Sequence, residues 1–408
     1  MKKLLIITLA ALLVGAYTVP AMAVDHEFGG YWRTRMYNMT KFTGDDSGDK
    51  DAQQVDTRTR LYYTAVLSDE VKLVNKFEMD AVFGDDERGD IGADGKNFEV
   101  KNSYADVNLG DFNVKLGTQG TAIARSFIFD ADFTGANVGY VGDDIVVPFI
   151  WIKVYEGGAG DEANDFDVDY YAVDPVFFMG DLKINPHLLY AKSADASAWS
   201  ATDDVIYAEL AVYYLGVSVD YAADMFSAWF TGIYEAGTAD LATGDSLDVA
   251  ATLAAAGGSF NMDALSIHAQ AFYASGDDDT TDGDINSFWA PAGASYYWAE
   301  IMGYGAIDEA VSAGSPADAI TDIMAINVGV DIPMDKLTLT VDIWNANLVE
   351  DDENGDTALG TEIDLAASYQ LLDDLKLQVV AAYLAAGDAT GGGDENPMEL
   401  GAIMSLSF

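Results

Sequence analysis

The building unit of this chain is visible in Leu337-Thr338-Leu339-Thr340-Val341-Asp342-Ile343. Apolar and polar residues alternate there without interruption, so the aliphatic side chains fall on one face of an extended strand and the polar ones on the other. The same period of two recurs at residues 71–80, 265–271, 362–369 and 375–379. A chain made of such segments is predicted to be all-β, with one apolar and one polar face on each strand.

Two kinds of connection alternate between the predicted strands. Eight are short turns, at residues 68–70, 110–111, 142–144, 179–181, 222–224, 261–263, 333–335 and 372–374. Nine are longer loops rich in Gly, Asp and Thr, which centre on residues 43–54, 84–97, 120–132, 157–164, 193–203, 238–246, 277–320, 350–360 and 388–397. This alternation is typical of bacterial transmembrane β-barrels. We therefore predict one closed antiparallel barrel of about 18 strands over residues 24–408, with short periplasmic turns and long acidic extracellular loops.

Three positions disturb the alternating pattern. Pro148 and Pro186 fall inside candidate strands, where the missing N–H is expected to require a bulge. The alternation also changes phase near Leu215-Gly216, so a bulge or extra turn within residues 204–221 and a total of 16 strands remain alternatives. A soluble β-sandwich or β-helix is the other architecture considered, but a sandwich would show far fewer Tyr and Phe residues near strand ends.

The composition excludes several classes of protein. The 408 residues carry a net charge of −48, yet 50% are hydrophobic and 12% are aromatic, whereas a disordered acidic chain is poor in both. Nucleic-acid binding requires clustered positive charge, which 20 Lys+Arg against 68 Asp+Glu do not offer. The absence of cysteine excludes disulfides, thiolate nucleophiles and cysteine-ligated metals.

The first 23 residues have the build of a secretory signal peptide. Lys2 and Lys3 precede an apolar run over residues 4–14, and Ala21-Met22-Ala23 matches the small-residue cleavage motif. We expect cleavage after Ala23 and export to the cell outer membrane. The alternative is an N-terminal anchor helix, although the apolar run is shorter than the ~20 residues of a membrane span. No transmembrane helix is expected in the remaining chain, because no later segment is continuously apolar over such a length.

The last predicted strand ends in a distinctive pattern. One continuous apolar face is formed by Met398, Leu400, Ala402, Met404, Leu406 and Phe408. This strand resembles the C-terminal assembly signal of Gram-negative outer-membrane proteins, and with the leader the whole chain is similar to an outer-membrane porin. The resemblance implies that Phe408 is part of the signal read by the barrel-assembly machinery, and that the barrel contacts outer-membrane lipid and passes small solutes.

Residues 28–156 resemble, more narrowly, the alginate-export-type group of large porins. The resemblance rests on Tyr31-Trp32-Arg33-Thr34-Arg35, Asp56-Thr57-Arg58-Thr59-Arg60-Leu61, Tyr104-Ala105-Asp106-Val107 and Leu116-Gly117-Thr118-Gln119. It implies an eighteen-strand barrel with an Arg-rich pore for an acidic polysaccharide. The chain departs from the group at Thr118, where Arg is common, and in its very acidic second half. Acidic-polysaccharide export is therefore retained as an alternative function.

The few positive charges are concentrated on the early strands. After residue 23, fourteen of the eighteen Lys and Arg residues lie between Arg33 and Lys153. Apolar residues of the same strands take the lipid face, where a cation costs about 2–4 kcal/mol at the midplane, so parity sends the basic side chains to the lumen. The predicted pore-lining basic wall comprises Arg33, Arg35, Arg58, Arg60, Lys72, Lys76 and Lys115. The predicted acidic wall opposite comprises Asp167, Asp169, Asp342, Glu362 and Asp364.

Two such walls would set a transverse field across the pore, which favours polar solutes over apolar ones. The alternative is that these charges are ordinary solvated lumen residues. The loop at residues 120–132 carries Arg125 together with Phe127 and Phe129. We expect it either to fold into the pore as a constriction or to pack against the barrel rim.

No catalytic site, metal site or cofactor is predicted. Ser266 and His268 share the lumen face of one strand, but no third partner is evident for a hydrolytic triad. The acidic loop at residues 277–284 has calcium-binding residue types, but Trp289 stands where an EF-hand requires Glu, so the expectation is limited to weak divalent cation binding. The first functional hypothesis is a passive channel for small hydrophilic or charged solutes. The alternatives outside transport are a surface structural or adhesive barrel and an outer-membrane hydrolase.

Overall fold

The computed structural model describes residues 24–42, 51–85, 97–157, 167–193, 207–241, 244–279, 281–311, 314–391 and 395–408. The predicted signal peptide, residues 1–23, lies outside the described residues, as do parts of several long loops. Within the described residues, eighteen strands form the wall of a barrel. They are β1 (Asp25–Thr40), β2 (Ala52–Val66), β3 (Val71–Val82), β4 (Asn97–Leu109), β5 (Phe112–Ile123), β6 (Phe129–Val141), β7 (Ile145–Tyr155), β8 (Val168–Val173 with Val176–Met179), β9 (Leu182–Ser193), β10 (Tyr207–Ala222), β11 (Phe226–Leu241), β12 (Ser246–Asn261), β13 (Ser266–Ala274), β14 (Ile323–Met334), β15 (Leu337–Leu348), β16 (Ala358–Leu372), β17 (Leu375–Ala386) and β18 (Met398–Ser407).

The sheet is closed by pairing between its first and last strands. Every strand runs antiparallel to the next, and β18 returns to β1 with Ser405 opposite Arg33 and Met398 opposite Thr40. Closure leaves no unpaired edge, so the backbone polar groups of the wall satisfy one another. The predicted closed antiparallel barrel of eighteen strands is confirmed, and the sandwich and sixteen-strand alternatives are wrong. The eight tight connections fall at or within two residues of the predicted short turns.

The irregularities in the wall differ in position from those expected. β8 is interrupted at Asp174-Pro175, between the positions of Pro148 on β7 and Pro186 on β9. Neither neighbouring proline has an N–H to donate to β8. The interruption therefore removes carbonyl groups of β8 that would otherwise lack a hydrogen-bond donor. The Asn185 side-chain amide donates to Asp174 Oδ1 and to the Pro175 carbonyl, each at 2.8 Å, and so replaces part of the missing ladder. β10 is continuous through Leu215-Gly216, and its register shift with β11 lies at Tyr207 instead.

The two faces of the wall differ sharply in exposure. On β14, Met324, Ile326 and Val328 are 52–55% exposed, whereas Ala325 and Asn327 between them are 1% exposed. The same alternation gives an outward belt of exposed apolar side chains, with aromatic residues near the tight turns at Phe112, Tyr140, Phe226 and Phe260. Such a belt is suited to lipid contact. None of the described residues belong to a helix that is long and apolar enough to cross a membrane.

The inward faces of the strands are buried because a long connection of the same chain fills the lumen. The connection between β13 and β14, residues 275–322 apart from the undescribed 280, 312 and 313, is here named the inner loop. It contacts β1 through Asp308, β11 through Trp289, β13 through Tyr296 and β16 through Ile301. A segment that touches strands on all sides of a closed barrel must lie inside it. The inner loop brings its own apolar core, in which Phe288, Ile301, Met302, Ile307 and Ile320 are fully buried.

Candidate functional site

The predicted basic wall begins with four arginines on β1 and β2. Arg35 makes a two-pronged ion pair with Asp56, with Nε–Oδ1 at 3.0 Å and Nη2–Oδ2 at 2.8 Å. Arg58 pairs in the same way with Asp80, with both nitrogen–oxygen distances at 2.8 Å. Planar guanidinium–carboxylate pairing of this kind fixes orientation as well as charge. These arginines are therefore held against the wall.

Arg60 and Arg33 complete this group by pairing with different parts of the molecule. Arg60 forms an ion pair with Glu78, which is 3% exposed, on the neighbouring strand. Arg33 instead pairs with Asp308 of the inner loop, with Nη2–Oδ2 at 2.8 Å. Asp308 also accepts from Arg35 Nη1 at 2.9 Å. The inner loop thus reaches the wall at its two most buried arginines.

The carboxylates of this wall were not predicted from the sequence. The register of the sheet places Arg35 opposite Asp56, Arg58 opposite Asp80 and Arg60 opposite Glu78. Opposite residues of an antiparallel pair share a face, so the three acids point inward with the arginines. On β2, Asp56 lies two residues before Arg58, and on β3, Glu78 and Asp80 are two residues apart, which indicates that they share the inward face. The partner of each arginine depends on the register, which the sequence leaves open.

The three lysines of the predicted basic wall lie on β3 and β5. Lys76 stands over the ring of Tyr62, with its Nζ 6.0 Å from the ring centroid, and Lys115 stands over Tyr104 at 5.9 Å. Lys72 shares the face of Lys76 by parity. These lysines extend the positively charged face of the wall beyond the four arginines. Cation–aromatic contacts of partly exposed groups are weak, so the lysines are held less firmly than the arginines.

Three predicted acidic residues, Asp342, Glu362 and Asp364, lie on the inward face, but two of them hold the inner loop. Glu362 is fully buried and accepts the backbone N–H groups of Ile301 at 2.6 Å and Met302 at 2.9 Å. Asp364 accepts the N–H of Glu300 at 3.4 Å. These two carboxylates therefore take the place of water for the backbone of the inner loop.

Asp342 belongs to a separate polar group on the inner wall. Its Oδ1 lies 2.8 Å from His268 Nε2 and accepts the Asn327 amide at 2.9 Å. Asp331 lies on the other side of the same imidazole, 3.2 Å from Nδ1. Ser266 donates its hydroxyl to Asn261 at 2.7 Å and not to His268, so the residues considered for a hydrolytic pair do not contact each other.

The structure places Asp167 and Asp169 away from the lumen, so their prediction as pore-lining residues is wrong. Val168, Tyr170 and Ala172 are 0–2% exposed and face the filled interior, which leaves Asp169 on the outer face by alternation. Lys153 also lies on the outer face, where its Nζ is 3.6 Å from Asp169 and pairs with Asp167. The register pairs Lys192 with Asp169 on the other side. The cause of the error is the phase of the strand. No residue near it had a known inward direction, and a slip by one residue reverses the face.

Arg125 lies on a segment that folds inward. Residues 124–126 form a single 3-10 turn in which Ala124, Arg125 and Ser126 all have left-handed φ values of 53–74°. The guanidinium of Arg125 pairs with Asp220 on β10 and stacks over Trp229 on β11, 4.6 Å from the ring centroid. Three consecutive left-handed residues without glycine cost roughly 1–2 kcal/mol each, so these contacts must hold the turn in place.

Two aromatic residues near Arg125 connect this turn to the rest of the interior. Phe127 stacks on Tyr296 of the inner loop, with ring centroids 4.0 Å apart, and Phe129 packs edge-on against Phe133 at 5.9 Å. Both phenylalanines are at most 3% exposed. The turn and the inner loop therefore form one packed unit inside the barrel.

Space remains on either side of this unit. A cavity of about 180 Å³ is lined by charged residues of β1 to β3 and by Glu309 of the inner loop. A second cavity, of about 320 Å³, is lined by His268, Trp298, Glu300, Asp342 and Asp364, among others. Among the described residues, no group of three or more His, Asp or Glu side chains is arranged to hold a metal ion. A third cavity, of about 410 Å³, lies between the Arg125 turn and Ser295–Tyr297 of the inner loop. The interior therefore contains a cavity at the arginine-bearing strands, an acidic one, and one at the Arg125 turn.

The chain end lies at the closure of the barrel. Phe408 donates its N–H to the Gly30 carbonyl at 3.2 Å and accepts the Gly30 N–H at 2.8 Å. Its ring covers Gly30 closely enough that a Cβ there would collide with it. The terminal residue therefore extends the β1–β18 pairing at the end that carries the tight turns.

Comparisons with known proteins identify the fold. No protein-family model matches the chain, and no curated protein sequence matches it. Among solved structures, it is similar to the outer membrane protein OprD from Pseudomonas aeruginosa, with 14% identity, a TM-score of 0.59 and 94% of each chain covered.

Two further Pseudomonas aeruginosa structures show the same similarity. OccK9 (OpdG) has 14% identity and a TM-score of 0.63, with 94% of this chain and 99% of that chain covered. OccK1 (OpdK) has 12% identity and a TM-score of 0.61, with 94% and 98% covered. The resemblance to the alginate-export-type group is not among these findings. What the chain shares with OprD, OccK9 and OccK1 is their fold, a closed antiparallel β-barrel, here of eighteen strands.

Proposed function

We propose that this protein is an outer-membrane porin, a passive diffusion channel for small hydrophilic or charged solutes. The observation that carries the proposal is a membrane-suited barrel whose interior is charged and narrowed by the chain itself. The outward apolar belt fits lipid, and the inner loop and the Arg125 turn leave polar cavities rather than a uniform apolar core. The fold shared with OprD, OccK9 and OccK1 adds support.

The charge pattern suggests how solutes are selected. Arg33, Arg35, Arg58 and Arg60 would line one side of the path, with Lys72, Lys76 and Lys115 extending it. Because each arginine pairs with a carboxylate, the field of this side depends on small imbalances of charge and not on a bare basic wall. Asp342, Glu362 and Asp364 would give the opposite side its acidic character, and the Arg125 turn would narrow the path between them.

The proposal includes the location and partners of the protein. We place it in the outer membrane after removal of residues 1–23, with lipid against the apolar belt and Phe408 as part of the signal read by the barrel-assembly machinery. The acidic loop at residues 277–284 would bind divalent cations weakly at most, because Asp277, Asp279 and Asp282 already accept backbone N–H groups of the same loop. No cofactor or catalytic activity is part of the proposal.

A surface structural or adhesive barrel is the second candidate. It is favoured by one observation, the apolar core that the inner loop builds inside the lumen around Phe288, Ile301 and Met302. A fully plugged barrel with acidic loops would need no conducting path. Acidic-polysaccharide export has weaker support, because the arginines that would bind the polyanion are already paired with carboxylates.

Planar-bilayer conductance distinguishes these candidates. Purified, folded protein should give stepwise ohmic currents in KCl, because water and ions can occupy the polar cavities beside the inner loop. Liposome swelling with a graded series of sugars and organic acids would then define the solute range. Folded protein, recognised by heat-modifiable migration, that never conducts would refute the channel and leave the structural barrel as the better proposal.

A further inference from the structure

Asp308 occupies an unusual position for a residue of a loop. Its carboxylate bridges two arginines of β1, at 2.8 Å from Arg33 Nη2 and 2.9 Å from Arg35 Nη1. The side chains of the two arginines are only 12% and 10% exposed, whereas that of Asp308 is 29% exposed. Both arginines also line the cavity of about 180 Å³, so the Asp308 carboxylate pairs with two side chains that border this cavity.

The backbone around Asp308 is shaped to make this contact. Asp308 has a φ of 59°, in the left-handed region that a residue with a side chain rarely adopts. The preceding residue, Ile307, is fully buried, and its carbonyl accepts a hydrogen bond from Arg35. The loop is thus anchored at the residue immediately before the carboxylate, which makes the bridge a property of the fold and not of one flexible side chain.

Arg33 differs from the other arginines of the wall because its counter-ion comes from the inner loop and not from a neighbouring strand. Arg35, Arg58 and Arg60 each have a carboxylate on an adjacent strand, but the register places Arg33 between Arg58 and Ser405. Within the described part of the chain, Asp308 is the one carboxylate that pairs with Arg33, and Arg33 Nε has no hydrogen-bond partner.

The balance of charge at this wall follows directly. Four arginines face three carboxylates of the strands, Asp56, Glu78 and Asp80, so one positive charge is left over. Asp308 supplies the fourth carboxylate. In a narrow, partly desolvated cavity a single uncompensated charge acts strongly on passing ions, because the screening by water is reduced there.

From this geometry we propose that Asp308 is a specificity-determining residue: an internal counter-ion that masks Arg33 and Arg35 and thereby sets the charge selectivity of the pore. The inference rests on the proposed channel function. According to this inference, the inner loop controls the preference for anions, although the positively charged arginines belong to the wall. Removing the charge of Asp308 alone should leave the group of four arginines with one uncompensated positive charge.

The test is the reversal potential of single channels in a KCl gradient at low salt. Asp308→Asn keeps the size of the side chain and one accepting oxygen, so it removes charge without removing the contact. Its reversal potential should shift toward anion selectivity. The double variant Arg33→Ser with Asp308→Asn should return toward the wild-type value, because it restores the balance. In 1 M KCl the shift should nearly vanish, since the Debye length is then only about 3 Å.

Asp278→Asn is the matched control. It makes the same substitution in the same loop, at an exposed residue away from the arginines, and it should leave the reversal potential unchanged. An unchanged reversal potential in Asp308→Asn, with wild-type conductance, would overturn the inference while leaving the channel intact. An equal shift in Asp278→Asn would also overturn it, because overall charge would then be the cause. A wild-type protein that does not conduct refutes the proposed function itself, and the inference with it.

Discussion

At the scale of single residues, inward charges of the early strands are matched by position across the sheet. Asp56, Glu78 and Asp80 lie directly opposite Arg35, Arg60 and Arg58. Removing one member of the buried Arg35–Asp56 pair costs about 3–5 kcal/mol, because the other charge is left uncompensated. The pairs therefore make the arginine side of the interior rigid as well as nearly neutral.

Gly30 gives a prediction about barrel closure at the same scale. A Cβ at Gly30 would collide with the Phe408 ring and lie 2.7 Å from the Arg60 carbonyl oxygen. Gly30→Ala should therefore displace Phe408 and destabilise the folded barrel by about 1–3 kcal/mol. The measurement is the urea concentration at which heat-modifiable migration is lost. Gly139→Ala, where the nearest heavy atom is 3.6 Å away, should behave as wild type. Equal stability of the two variants would contradict the close seating of Phe408 on Gly30.

At the scale of elements, the inner loop is held by carboxylates of the wall. Glu235 accepts the Trp289 N–H at 2.9 Å, Glu362 accepts two further N–H groups, and the Asp308 bridge holds the loop on β1. Buried backbone N–H groups must find acceptors, and a loop without regular secondary structure cannot supply its own. Part of the acidity of the later strands is thus explained by the loop that they anchor.

Glu300 makes this attachment dependent on pH. It lies in the inner loop, accepts the Ala306 N–H at 2.6 Å, and its burial raises the pKa of its carboxyl to about 7, with nearby Asp364 and Asp308 adding to the rise. A released loop would return Glu300 to its ordinary pKa of 4.5. The attached state then binds the proton more tightly, so its stability is full below pH 4.5, falls as the pH rises to about 7, and is constant above.

Channel conductance measured from pH 4 to pH 8 tests this dependence on Glu300. In the wild type, conductance or its fluctuation should rise across the window from 4.5 to about 7, because a more weakly held inner loop obstructs the path less. Glu300→Gln keeps the acceptor without the titration and should flatten the profile. A wild-type profile that Glu300→Gln reproduces would assign any pH response to other groups.

At the scale of the whole molecule, the barrel is stable only if its outer belt meets an apolar phase. Leu215 lies near the middle of β10 and is 58% exposed on the outer face. Leu215→Arg should destabilise the protein in lipid vesicles by about 2–4 kcal/mol, the cost of a cation at the midplane. Leu109→Arg, at the turn end of β4, should cost about 0–1 kcal/mol, since it lies near the interface. Guanidinium unfolding in vesicles gives both values, and equal costs would contradict the assigned depth of the belt.

The sequence alone determined the class of the fold and the positions of the tight turns, and it predicted about eighteen strands with sixteen as the alternative. These depend on local patterns, the period of two and the alternation of turns with loops, which the tertiary structure does not override. It also predicted the inward direction of Arg33, Arg35, Arg58, Glu362 and Asp364, because the apolar residues beside them fix the phase of their strands.

Only the tertiary structure decided what these residues contact. Asp169 faces outward, and this direction could not be predicted from the sequence. A strand broken at Pro175 has no reliable phase, and a slip by one residue reverses its face. Arg33 is paired with Asp308, 275 residues away in the chain, through a loop whose path has no periodic signal. Strand direction is encoded locally, residue by residue, whereas the filling of the lumen depends on long-range packing and on which carboxylate meets which backbone N–H. That is why the barrel could be derived from the sequence and the interior could not.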